Sequence, residues 1–166
     1  MQGEGPLLTI AEISVSLAGF SSVVIALRGS GPDAWSPQDR FGLGNVLGAS
    51  VGTLVGSLLP FPLAYLGWSS GTVWRVVDAI LGLVILGAVG FLAFSAAKGS
   101  VSPRTPRLFW LFAGSGFLVA GLLLASAGGL IFARGPSLLL FGLIWALVAA
   151  FAQLATFVLA TWSGSS

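Results

Sequence analysis

The sequence predicts an all-α membrane protein, a polytopic transmembrane helical bundle of about five membrane-spanning helices. Hydrophobic residues make up 56% of the chain and charged residues 7%, whereas an ordinary soluble domain is about 25% charged. Four long stretches carry no charge: residues 41–74, 79–97, 108–133 and 135–166. A helix needs about 20 apolar residues to cross the hydrocarbon of a bilayer. With no linker long enough for a second domain, residues 1–166 are predicted to form one integral membrane domain.

The predicted spans are residues 7–27, 41–59, 76–97, 108–133 and 137–162. Four of them carry proline at the start, where its fixed φ suits a helix: Pro6, Pro37, Pro106 and Pro136. Thr72 is predicted to cap the third helix. The second helix meets Pro60 and Pro62, which lack backbone donors. Residues 60–67 are therefore either an interrupted continuation or an interfacial turn, and the turn is preferred.

The first helix has two different faces. Its large apolar residues fall on one side and are expected to meet lipid: Ile10, Ile13, Leu17, Phe20, Val24 and Leu27. The small and polar residues cover the remaining surface and are expected to contact neighbouring helices: Ala11, Glu12, Ser14, Ser16, Ala18, Gly19, Ser22 and Ala26. This wide protein-facing side predicts more than one neighbour for the first helix.

The second helix carries a glycine zipper. Glycine recurs every fourth residue, at Gly44, Gly48, Gly52 and Gly56, beside Asn45, Ala49, Thr53 and Ser57. The large residues Leu43, Leu47, Val51, Leu54 and Leu58 are expected to face lipid. Small residues let helix backbones approach closely in a membrane, so the stripe predicts helix packing, within one bundle or across a homo-oligomer, rather than a pore lining. The fourth helix repeats the spacing with Gly121, Ala125, Gly129 and Ala133, and is the predicted partner.

Five polar or charged residues are candidates for a functional site. Glu12 and Asp78 each lie about 7 Å into their predicted helices, from the same side, and intramembrane carboxylates are often functional. A structural interpretation competes with this, because the helix dipole favours an anion in the first turns and Arg75 is expected to neutralise one of the two. Asn45 and Gln153 fall in the other half of the membrane. They are predicted to bond each other across helices, with a transport role as the alternative.

The composition argues against catalysis. The chain has no Cys and no His, which excludes thiolate metal sites and the commonest general base. Residues 48–52 match the pattern G-x-S-x-G, but they lie inside a predicted helix rather than at a strand-to-helix turn. The excess of seven basic over five acidic residues is too small for a nucleic-acid-binding surface. The sequence therefore predicts no catalytic residue, no cofactor and no metal.

The basic residues predict the orientation. Five of them follow the first and third helices, at Arg28, Arg40, Lys98, Arg104 and Arg107, and two lie on the other side, at Arg75 and Arg134. Basic residues favour the cytoplasmic side, so the N-terminus is predicted outside and the C-terminus in the cytoplasm. Tryptophans lie near the predicted helix ends at positions 35, 68, 74, 110 and 162, as expected for an interfacial belt. Trp145 is the exception.

Three segments carry a resemblance: TIAEISVSLAGF (9–20), WSPQDRFGLGN (35–45) and GPSLLLFGLIWALVAAFAQ (135–153). They resemble a group of small bacterial multi-pass membrane proteins of unknown function, which implies an inner-membrane location and no particular activity. We therefore expect a non-catalytic membrane protein, acting as a small subunit of a larger membrane complex or as a homo-oligomer among membrane lipids. The alternative is an ion or proton channel, or a small-solute transporter, that uses Glu12, Asp78, Arg75, Asn45 and Gln153.

Overall fold

The computed structural model describes residues 4–27, 37–99, 106–130 and 135–163, and every regular element in these ranges is a helix. The helices are α1 (Glu4–Leu27), α2 (Pro37–Leu58), α3 (Pro60–Tyr65), α4 (Ser70–Ala97), α5 (Pro106–Ala127) and α6 (Ser137–Ser163). Five stretches are long and apolar enough to cross a membrane: one each in α1, α4, α5 and α6, and one formed by α2 with α3. The predicted all-α bundle of five membrane-spanning helices is confirmed.

Helix α6 lies at the centre of the bundle. It packs against α1 and α2 on one side and against α4 and α5 on the other. The two flanking pairs, α1 with α2 and α4 with α5, also make the most extensive contacts in the described chain. The bundle therefore consists of two helix pairs joined mainly through one central helix, with a smaller direct contact between α3 and α4.

The junction between α2 and α3 is an interrupted helix. Leu59 has helical angles, φ −56° and ψ −35°, and its N–H donates to the Val55 carbonyl at 2.9 Å. Pro60 has no N–H, so the next hydrogen bond of the ladder cannot form. Helical structure nevertheless resumes and runs to Tyr65. The preferred interfacial turn is therefore wrong, and the interrupted continuation is what the chain adopts.

Two other helix ends differ from the prediction. Helix α4 begins earlier, at Ser70, and its cap is Ser69, whose Oγ accepts the Thr72 N–H at 3.3 Å; Thr72 is not the cap. Helix α5 ends at Ala127 instead of residue 133. Gly129 has φ +76°, and the N–H groups of Gly129 and Leu130 donate to Ser126 and Ala125, the two bonds of a Schellman motif. Gly129 thus lies beyond the helix, and Ala133 is outside the described residues.

The predicted lipid-facing sides are wrong in part. On α1, Ile10 is 6% exposed and Leu17 is 2% exposed, and on α2 Leu43 is also buried. The buried residues of α1 recur every third or fourth position and include Ser14 and Ser21, whose hydroxyls donate to the carbonyls four residues earlier, both at 2.8 Å. These serines fill little space and leave no free polar group, so they suit a tight helix contact.

The closest helix contacts use glycines that stand outside any four-residue repeat. A Cβ on Gly116 would lie 2.7 Å from Val89 Cγ2 and 2.8 Å from Trp145 Cη2, and one on Gly142 would lie 2.9 Å from Leu123 Cδ1. Gly82 of α4 meets Leu123 and Leu124 at 3.0–3.2 Å in the same way. Helices α4, α5 and α6 approach each other closely at these three positions. The predicted set of packing residues does not include them.

Candidate functional site: a cavity between α2 and α4

A cavity of about 350 Å³ separates α2 from α4. Its floor is α6, and aromatic residues of α5 close part of one side. The lining is almost entirely apolar, with the polar side chains of Asn45, Thr53 and Gln153 and the indole of Trp145 as exceptions. Gly44 and Gly48 on the α2 wall and Val84 and Ala88 on the α4 wall are exposed. The cavity therefore opens sideways, toward the region that lipid occupies around a membrane protein.

The glycine stripe of α2 forms one wall of this cavity. A Cβ on Gly44, Gly48 or Gly52 would meet no atom of the described chain within 4 Å. Gly56, nearer the α3 end, is the member of the stripe in tight contact, with Leu143 Cδ2 3.0 Å from its Cβ position. Within the described chain, Gly44, Gly48 and Gly52 therefore do not pack against another helix.

The predicted partner of the stripe is also wrong. Helix α5 packs against α4 and α6 instead of α2. Gly121 is exposed, and a Cβ there would meet nothing within 4 Å. Ala125 is half-buried in the last turns of α5, and Gly129 lies in the C-terminal cap next to the guanidinium of Arg75. These residues therefore do not form the predicted contact with α2 inside one chain.

The predicted bond between Asn45 and Gln153 is confirmed. Asn45 Nδ2 donates to Gln153 Oε1 at 2.6 Å, from α2 across to α6. Both side chains are half-buried and line the cavity. Each amide nitrogen carries two N–H groups, so the pair uses only one of its four. The cavity thus has unused amide N–H groups at one end, whereas the hydroxyl of Thr53 and the indole N–H of Trp145 donate to Ala49 and Ser115.

The tryptophans are divided between surface and interior. Trp145, the one tryptophan predicted away from helix ends, lines the cavity and donates from Nε1 to Ser115 Oγ at 3.1 Å. Trp68 and Trp110 are exposed near helix ends, as a belt requires. Trp74 is buried and donates to Ser70 Oγ, so its assignment to the belt is wrong. Trp35 and the side chain of Trp162 lie outside the described residues.

Asp78 is buried between α4 and α5, with 1% of its surface exposed. Ser126 Oγ donates to Asp78 Oδ2 at 2.8 Å, and Oδ1 has no hydrogen-bond partner in the described chain. Arg75 is exposed and forms no ion pair with Asp78; its guanidinium lies beside Gly129, at the C-terminal end of α5. A cation there is favourable for the helix dipole. Arg75, predicted to neutralise either Glu12 or Asp78, is therefore not the partner of Asp78; Ser126 is the partner instead.

Glu12 lies on the outside of the bundle. It is exposed on α1, and it makes no ion pair with Arg75, so the expectation that Glu12 faces a neighbouring helix of the same chain is wrong. The small and polar residues among the exposed positions of α1 form what we call the outer strip of α1: Gly5, Thr9, Glu12, Ser16, Gly19 and Ser22. Large apolar residues, such as Leu8 and Val15, are exposed beside this strip. The three hydroxyls of this strip donate to carbonyls four residues earlier, at 2.9–3.1 Å. The carboxyl of Glu12 has no such partner among the residues that the structure describes.

The polar groups of the protein thus lie in separate places. The amide pair lines the cavity, Asp78 is enclosed between α4 and α5, and Glu12 is on the outer surface of α1. No group of three or more Asp or Glu residues that would hold a metal ion occurs among residues 4–27, 37–99, 106–130 and 135–163. No protein-family model, curated protein or solved structure matches the chain.

Proposed function

We propose that this integral membrane protein is a non-catalytic subunit that self-associates through the outer strip of α1. The observation that carries the proposal is Glu12, a carboxyl group without a partner in the described part of the chain, on the outward face of a helix apolar enough to span a membrane. The resemblance of residues 9–20, 35–45 and 135–153 to small bacterial membrane proteins favours an inner membrane as the location of the assembly.

A lipid environment does not suit the outer strip. A charged side chain near the centre of a membrane helix costs about 2.5–3.5 kcal/mol on insertion scales. Lipid tails also gain nothing from the hydroxyls of Thr9, Ser16 and Ser22, which are already bonded to backbone carbonyls. Small residues such as Gly19 allow another helix backbone to approach closely. The strip therefore has the composition of a helix–helix contact and the position of a lipid-facing surface.

A second copy of this chain supplies the complementary charge. Arg75 is exposed and forms no ion pair within the described chain, and α1 and α4 begin on the same side of the bundle because two crossings separate them. Glu12 is eight residues from the start of α1 and Arg75 is five residues from the start of α4, about 12 and 7.5 Å along the helices. The long arginine side chain spans the remaining difference. We therefore pair Glu12 of one copy with Arg75 of the next.

The separation of the polar groups supports this role over a channel or transporter. A conduction path needs polar groups that follow one another across the membrane. Asp78 is bonded to Ser126, and Asn45 is bonded to Gln153. Glu12 faces outward, away from both pairs. Such an arrangement is expected when each polar group stabilises a helix contact.

Charge reversal tests the proposal. We expect the wild-type protein in mild detergent to be a dimer or a larger assembly by native mass spectrometry. Glu12→Arg and Arg75→Glu should each shift it to monomer, because each places like charges together at the contact, and the double variant should assemble again. Lys98→Gln, which removes an exposed charge from the other end of α4, is the matched control and should leave the assembly unchanged. A monomeric wild type, or single variants that stay assembled, would contradict the proposal.

A further inference from the structure

The cavity between α2 and α4 has the length of one membrane leaflet. Its α2 wall runs from Gly44 to Thr53, and its α6 floor runs from Trp145 to Gln153. At 1.5 Å per residue these stretches are about 14 and 12 Å long. Half of a bilayer core of about 30 Å is about 15 Å. The cavity thus covers one leaflet and ends near the midplane.

The cavity has room for a hydrocarbon chain. Its volume of about 350 Å³ extends over a length of about 14 Å, and a single unbranched hydrocarbon chain fits in this space without displacing a side chain of the lining. The glycines of α2 keep this wall free of side chains, since a Cβ at Gly44, Gly48 or Gly52 would project into open space.

The amide pair lies near one edge of the hydrocarbon. Asn45 is twenty residues before Tyr65, which is about 30 Å in a helix and equals the thickness of the core. Tyr65, at the opposite end of this span, is 92% exposed. The Asn45 end of the cavity therefore reaches the depth at which the polar part of a lipid begins. The amide N–H groups that the pair leaves unused are costly in hydrocarbon unless an acceptor meets them.

We infer that this cavity binds one acyl chain of a phospholipid from the leaflet at the Asn45 end, and that the ester carbonyl of that chain accepts a hydrogen bond from the Asn45–Gln153 pair. The chain enters sideways between α2 and α4, past the exposed Gly44 and Gly48. The second acyl chain of the same lipid stays in the surrounding bilayer. The inference is independent of self-association, because the outer strip of α1 takes no part in the cavity.

Quenching of Trp145 by brominated lipid tests the inference. The full chain is reconstituted in vesicles of 1-palmitoyl-2-oleoyl-phosphatidylcholine, or of the same lipid with bromine added across the oleoyl double bond. The contribution of Trp145 is the fluorescence difference between the wild type and Trp145→Phe. Because a pocket of this size encloses most of its ligand, we expect the brominated lipid to remove roughly half of this contribution or more.

Two matched leucine substitutions distinguish quenching by a lipid in the cavity from quenching by the surrounding bilayer. Gly48→Leu places a side chain in the cavity, from a Cβ position with no atom of the described chain within 4 Å, and Gly121→Leu places the same side chain at an exposed site of α5. Gly48→Leu should abolish most of the quenching, and Gly121→Leu should leave it unchanged. Equal quenching in the two variants, or an unquenched wild type, would overturn the inference.

A second measurement tests the proposed hydrogen bond between the lipid and the Asn45–Gln153 pair. Native mass spectrometry of the protein taken from the same vesicles should show one retained phospholipid per chain in the wild type. Asn45→Leu combined with Gln153→Leu removes both amides together, so that neither is left without its partner, and should lose the retained lipid. If the double variant retains the lipid as the wild type does, the carbonyl contact is wrong. Oligomeric state, measured in the same spectra, reports separately on the Glu12 contact.

Discussion

Two identical substitutions in α5 should have opposite effects on stability. Gly116 and Gly121 are five residues apart on the same helix. A methyl group on Gly116 would lie 2.7 Å from Val89 Cγ2 and 2.8 Å from the ring carbon Cη2 of Trp145, whereas one on Gly121 would meet nothing within 4 Å. Carbon atoms in good contact are about 3.5–4.0 Å apart. Gly116→Ala therefore forces its neighbours to move by roughly 0.8 Å or more.

The expected difference in stability follows from two opposing contributions, helix propensity and overpacking. Alanine is favoured over glycine inside a helix by about 1 kcal/mol, and both variants gain this. Overpacking of a well-packed interior costs about 1–3 kcal/mol, and only Gly116→Ala bears that cost. Val89 is β-branched and buried, and the indole of Trp145 is rigid, so neither yields easily. We expect Gly116→Ala to be less stable than Gly121→Ala by about 1–3 kcal/mol.

Unfolding of the two variants in the same mixed micelles, followed by far-ultraviolet circular dichroism, measures this difference directly. The double variant Gly116→Ala with Val89→Ala is the control, because it removes the Cγ2 atom that collides and should recover part of the loss. The reasoning would be refuted if Gly116→Ala proved at least as stable as Gly121→Ala.

Two further predictions concern Asp78 and the orientation. Ser126→Ala should destabilise the bundle by about 1–3 kcal/mol, because it removes the hydrogen bond that Ser126 donates to the buried carboxyl of Asp78. Unfolding in micelles measures this, and an unchanged stability would show that the bond contributes little. The chain contains no Cys, so single cysteines report cleanly on orientation. Cysteines at positions 30 and 102, between α1 and α2 and between α4 and α5 in the sequence, should resist a membrane-impermeant thiol reagent in intact cells, while Ser70→Cys should react. The reverse pattern would mean the opposite orientation.

The membrane-spanning helices were predictable because the absence of charged residues and the length of each apolar stretch identify them. Charge-free stretches of about 20 residues have no other stable arrangement in a bilayer than a helix that satisfies its own backbone. The Asn45–Gln153 bond was predictable for a related reason. Two amides at matching depth in neighbouring spans find each other because hydrocarbon offers no other partner.

The side of each helix that faces the interior was harder to predict. In a soluble protein, the apolar face of a helix marks the side that faces the core. In a membrane protein, both the surrounding lipid and the protein core accept apolar side chains. Ile10 and Leu17 are therefore indistinguishable from lipid-facing residues by type, although both are buried. The same reason explains why isolated Gly116 and Gly142 carry close contacts while Gly44, Gly48 and Gly52 of the regular α2 stripe do not. Spacing shows which residues share a face, and it does not show what lies opposite.

One missed feature did have a signal in the sequence. Two consecutive glycines, Gly128 and Gly129, interrupt the apolar stretch of the fourth span, and glycine just past the last turn is a common helix stop. The length of the uncharged stretch outweighed this signal in the prediction. Because the helix ends at Ala127, Gly129 is free to adopt its positive φ. A stop signal of this kind deserves more weight than hydropathy when the apolar stretch is longer than a membrane requires.

The central position of α6 has a consequence for how the protein is made. Chains emerge from the ribosome N-terminus first, so the pairs α1–α2 and α4–α5 are complete before α6 appears. Each pair joins helices that are neighbours along the chain, whereas the contacts that hold the pairs together run largely through α6. During synthesis the membrane therefore contains two helix hairpins with little to unite them, and the floor of the cavity between α2 and α4 is the last part to arrive. Most contacts between the two pairs can therefore form only after α6 has been inserted.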